Sequence, residues 1–67
     1  MKKYHLLVAA TTISMEGFVM ADGYWVEHGA YYFFKFEGEQ DEDGYRNRVV
    51  QCAYPINLTI IKSIEVL

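Results

Sequence analysis

Sixty-seven residues contain one cysteine, one proline and only six lysines and arginines. A lone Cys52 excludes an intramolecular disulfide and any zinc knuckle or ribbon, and a reducing, cytoplasmic setting is expected from it. The six basic residues are scattered against nine acidic ones, leaving a net charge of −3. Direct nucleic-acid binding through phosphates is therefore not expected, because it needs clustered Lys and Arg to displace counterions. No apolar run approaches the roughly eighteen residues of a membrane helix. Nowhere do Ala, Leu and Glu recur at helical spacing, and neither an internal repeat nor a linker divides the chain, so residues 1–67 are read as a single domain.

What is present is strand-forming material. The chain is 52% hydrophobic and 16% aromatic, too apolar for a disordered segment and rich in side chains that suit a pleated surface. Eight of the eleven aromatic residues fall between Phe18 and Glu37, where short apolar runs are separated by Asp22-Gly23 and His28-Gly29. Both dipeptides accept positive φ at low cost and predict two successive hairpins. The first would set Met20 against Trp25 and Val19 against Val26; the second would set Trp25 against Tyr32 and Tyr24 against Phe33. Alternation then gathers Phe18, Met20, Trp25, Tyr32, Phe34 and Phe36 on one face and Val19, Ala21, Tyr24, Val26, Tyr31 and Phe33 on the other. Neither face is polar, so each must be covered by something. Trp25 and Phe34 are expected in the core, and the face carrying Tyr24, Val26, Tyr31 and Phe33 is expected to meet a partner.

On either side of this centre lie further strands. Lys2 and Lys3 followed by Leu6 to Ala10 have the outline of a secretory signal, with Val19-Met20-Ala21 as its cleavage site. The apolar run is short and follows His5, and Glu16 and Gly17 precede the cut, so we read a first strand from Lys3 to Thr11 ending in a polar turn. Gly38 to Tyr45, GEQDEDGY, is a solvated loop whose four carboxylates repel one another. Glu39, Asp41 and Asp43 have the spacing of the first half of a calcium loop, but Val50 stands where the closing bidentate acid belongs. Tyr45 to Tyr54 reads as a strand with Arg46 and Arg48 placed across from Glu37 or Glu39. Pro55 ends it in a tight or 3₁₀ turn. Leu58 to Val66 resumes alternation, with Leu58, Ile60, Ile64 and Val66 on one side.

Five or six short strands joined by consecutive turns, with a brief turn before the last, resemble a small antiparallel SH3-like barrel or a strongly bent sheet. The resemblance is architectural, and proline-rich peptide binding does not come with it. For catalysis the chain offers His5, His28, Cys52 and the carboxylates, in no supporting pattern, and a sheet this small has little room for a substrate pocket. No catalytic role, metal or cofactor is expected. The expectation is a protein-binding module whose contact residues are Tyr24, Val26, Tyr31, Phe33, Glu39, Asp41, Glu42 and Asp43, facing a protein partner with a basic groove. The alternatives are a structural homodimer or larger homo-oligomer, and a calcium-binding loop protein. In length, acidity and the exposed GEQDED loop the chain is similar to short accessory proteins of phages and mobile elements, including anti-CRISPR and other anti-defence inhibitors. That resemblance implies an inhibitor that blocks a larger complex by surface contact.

Overall fold

The computed structural model describes residues 1–9 and 14–67. Over these the chain is all-β, with β1 (Lys2–Ala9), β2 (Ser14–Ala21), β3 (Gly23–Glu27), β4 (Ala30–Glu37), β5 (Asn47–Pro55) and β6 (Thr59–Val66); a 3₁₀ turn, Ile56–Leu58, precedes β6. The strands form two antiparallel sheets ordered β2-β1-β6 and β3-β4-β5, which do not close into a barrel. The expected polar end of the first strand at Thr11 and Thr12 lies outside the described residues.

The second hairpin forms in the register read from the sequence, with Trp25 against Tyr32 and Tyr24 against Phe33. His28 and Gly29 adopt φ of 49° and 73°, the pair of positive values that matches a tight turn to the twist of its strands.

The first hairpin does not form. β2 pairs along its whole length with β1, Val19 against Tyr4 and Ala21 against Lys2, and the chain runs through Asp22-Gly23 into the other sheet. The reason is visible at Asp22. Its amide donates to Phe34 O at 2.8 Å, and its Oδ2 accepts from the Phe36 amide at 2.8 Å. Both bonds stitch the residue to β4 and keep the backbone from folding back. Gly23 is needed for clearance rather than for positive φ, because a Cβ there would lie 2.7 Å from Phe34 Cζ. A glycine within a strand where another group approaches closely is the ordinary sign of such a junction.

The Asp22 carboxyl is held below its ordinary value of 3.8, first by the Phe36 amide and then by the amino terminus and Arg46. A depressed carboxyl stabilises the fold above its unfolded value and loses that contribution as pH falls through the folded one. Stability followed by urea titration is therefore expected to decline below about pH 4, and Asp22→Asn is expected to be less stable at neutral pH with a shallower acid decline. An unchanged slope in Asp22→Asn would show that another group carries it.

The sheets meet through Tyr4, Leu6, Val19, Ala21 and Phe33, with Val8, Tyr31, Cys52, Tyr54 and Ile61 packed against that cluster. Phe33 is fully buried, with the rings of Tyr4, Tyr24 and Tyr54 at 5.1, 5.7 and 6.1 Å. Offset and edge-on arrangements at these spacings add to the burial energy of each ring. In β6 the expected alternation is interrupted. The β1 pairing shifts between His5 and Leu6, so that Tyr4 faces Ile64 and Leu6 faces Ile61. Lys62 is the extra residue of this bulge, which brings Thr59 and Ile61 to the same face as Ile64 and Val66.

Candidate functional site

The two faces of β3-β4-β5 are divided as the alternation predicts. Tyr24, Val26, Tyr31 and Phe33 point toward β2-β1-β6. Phe33 is core and Tyr31 is half-buried, while Tyr24 and Val26 remain 39% and 52% exposed. Phe33 therefore cannot be a contact residue, whereas Tyr24 and Val26 of the expected docking face are exposed. Phe33 is covered because the β2 backbone continues into β3 at Asp22, which brings Tyr4 and Val19 into one cluster with it.

The outward face carries Trp25, Tyr32, Phe34 and Phe36. Trp25 stacks on Tyr32 with centroids 5.5 Å apart at 17° and tilts against Phe34 at 5.5 Å, and Phe34 meets Phe36 edge-on at 5.3 Å. β5 supplies the rest. Arg48 lies opposite Phe36 with its guanidinium 5.1 Å from the Phe34 ring centre, and Arg46 lies 5.4 Å from that of Phe36. Phe34 is buried beneath these neighbours, while Phe36 remains 39% exposed. Phe34 is thus buried as expected, though apart from the intersheet cluster, while Trp25, also expected in the core, is half-buried above it. The sequence signal for this aromatic ladder was the run Tyr32 to Phe36 at period two facing Arg46 and Arg48 at the same period.

The acidic loop next to this ladder is organised by one residue. Asp41 Oδ1 accepts from the amides of Asp43 and Tyr45 at 3.0 and 2.8 Å, while the Asp41 amide donates to Tyr45 O at 2.8 Å. The Gln40 side chain closes the turn on Gly44 O at 2.8 Å. Asp41 thus organises the turn, and Glu39, Asp41, Glu42 and Asp43 are all exposed. Among the described residues no three acidic, histidine or cysteine groups gather as a metal site, so Glu39, Asp41 and Asp43 do not converge as a calcium loop would need. The expected pairing of Arg46 and Arg48 with Glu37 or Glu39 does not occur either. Glu37 faces Asn47, and Arg46 donates through Nε and Nη2 to Gly38 O at 3.3 and 3.2 Å. Together Phe36, Gln40, Gly44, Tyr45, Arg46 and Arg48 line an open hollow of about 350 Å³.

The three reactive side chains stand apart. Cys52 lies on the inner face, where burial pushes its thiol pKa up, the opposite of an activated nucleophile. His5 lies on the outer face of the other sheet, 3.5 Å from Glu65, and His28 is in the exposed turn. No helix among the described residues is long and apolar enough to cross a membrane. No family model, curated protein or solved structure matches the chain.

Proposed function

We propose that the protein is a non-catalytic binding module that docks on another protein through the outer face of β3-β4-β5. The observation that carries this reading is the ladder of Trp25, Tyr32 and Phe36 around the buried Phe34, on the side of the sheet that faces away from the intersheet cluster. Two guanidiniums laid over its rings hold them in place. Large, rigid aromatic side chains and arginine are the residues that dominate binding energy at interfaces. The exposed carboxylates Glu39, Glu42 and Asp43 sit beside the ladder and suit a basic groove, where they would speed encounter and set orientation. A surface of this kind suits a small inhibitor that blocks a larger complex, in keeping with the likeness to phage anti-CRISPR and anti-defence proteins. A cytoplasmic setting belongs to the same proposal and rests on the single, unpaired Cys52. So does kinship with the SH3-like barrels, supported by the two sheets joined through β2 and β3 and by the 3₁₀ turn before the last strand.

The test is affinity capture from the native host with quantitative mass spectrometry, comparing the parent chain with Trp25→Ala/Tyr32→Ala and with Glu39→Lys/Glu42→Lys/Asp43→Lys. Trp25 and Tyr32 lie outside the core, so circular dichroism should show both variants folded. A partner held by the parent chain is expected to fall at least about tenfold with the aromatic pair, since truncating one interface anchor costs about 2 kcal/mol or more. Charge reversal is expected to slow association and to reduce its salt dependence. An identical catch from parent and aromatic variant would sink the proposal.

A further inference from the structure

We propose that β6 pairs with β6 of a second copy of this chain, joining two β2-β1-β6 sheets into one continuous sheet. The inference is independent of the foreign partner and uses the opposite sheet.

Three observations carry it. The first is the state of the edge. Among the described residues β6 pairs with β1 on one side only; the bulge at Lys62 divides its eight residues and leaves Ser63 to Val66 as a regular stretch of unpaired amides and carbonyls, the kind of edge that soluble proteins blunt with charge. The charges here are turned away from that task. Lys62 Nζ reaches back across β1 to Glu16 Oε1 on β2 at 2.9 Å, and Glu65 leans over β1 toward His5 at 3.5 Å. What the strand leaves exposed is apolar, with Ile60 at 60%, Ile64 at 49% and Val66 at 76%.

The second is area. A compact monomer of 7.8 kDa exposes about 4,400 Å², whereas this chain exposes 4996 Å². The excess of about 600 Å² approaches the roughly 800 Å² that each partner contributes to a standard interface. The radius of gyration agrees: 13.5 Å against about 11 Å expected for a closed domain of this length.

The third is self-complementarity. Lys62 and Glu65 cancel, so two copies of β6 meet without net repulsion. A two-fold axis then makes every contact twice, as closed symmetric dimers do. A strand from a different protein would also satisfy the backbone edge, but a second copy brings its own exposed Ile64 and Val66 alongside these across the shared edge. A second copy is the only partner always present.

Sedimentation equilibrium of the full chain is expected to give twice the 7.8 kDa monomer mass, falling to the monomer on dilution. Ile60→Lys/Val66→Lys, both at exposed positions, should give the monomer mass with an unchanged strand spectrum, and Val50→Lys on the other sheet should remain dimeric. Amide exchange of the unmutated chain provides the measurement that needs no variant, because β6 amides facing away from β1 should be protected only in the dimer. A monomer at all concentrations, outward β6 amides exchanging at solvent rate, or a dimer that survives Ile60→Lys/Val66→Lys would each overturn the inference.

Discussion

Replacing Phe33 with alanine is expected to leave the chain unfolded at room temperature. Phe33 is fully buried at the meeting of the two sheets, and three of its ring neighbours come from three different strands, Tyr4, Tyr24 and Tyr54. Truncating a buried phenylalanine costs about 3–5 kcal/mol, the upper end applying where the walls cannot collapse into the space. Those walls are held apart by two sheets joined by covalent chain at Asp22-Gly23, so little collapse is available. A single core in a domain of this size supplies only about 3–5 kcal/mol in total. The loss therefore matches the whole margin. Far-ultraviolet circular dichroism and a urea titration followed by Trp25 fluorescence would show it, with Phe33→Leu retaining a transition at lower urea. A cooperative, near-parental transition in Phe33→Ala would mean that the intersheet cluster is not where the stability resides.

The second large effect concerns the junction. Gly23→Ala is expected to destabilise by about 1–3 kcal/mol, the usual cost of forcing an extra carbon into a filled space. The added Cβ meets the tip of the Phe34 ring at 2.7 Å. That ring cannot swing freely, because Trp25 lies at 5.5 Å, Phe36 at 5.3 Å and the Arg48 guanidinium at 5.1 Å. The consequence reaches the proposed docking face, since a displaced Phe34 breaks the ladder at its middle rung. Shortening the obstructing ring should relieve the clash. Phe34→Leu is expected to cost stability alone yet to recover part of it in the Gly23→Ala background, a coupling that a double-mutant cycle isolates. Strictly additive costs would show that Gly23 is required for some reason other than clearance from Phe34.

Cys52, His5 and His28 show how far residue type alone carries. Their positions were legible as a small apolar residue in a strand, a strand residue and a turn residue, and they occupy such places. The acidic loop was legible as exposed, but the use of Asp41 as an internal acceptor for two amides was not. That role depends on the turn bringing Asp43 and Tyr45 back onto the carboxylate, and four neighbouring acids look alike until the backbone selects one.

The same division holds for the fold. Alternation sorted the side chains of β3 and β4 into two correct faces, because period two is a property of the extended backbone itself, whereas Phe18 to Ala21, placed on the same ribbon, belong to the other sheet. The turn at His28-Gly29 and its register were likewise local, since two adjacent residues at positive φ and the strands flanking them specify the pairing. Which set faces inward, and whether Asp22-Gly23 reverses the chain or passes it between sheets, depended on residues distant in sequence. Asp-Gly suits a hairpin, but hydrogen bonds to Phe34 and Phe36 and the availability of β1 as a partner for β2 outweigh that local preference. The sequence by itself determined strands, sides and one turn; the tertiary structure alone decided partners and inside from outside, because those are settled by competition among contacts that no short window of residues contains.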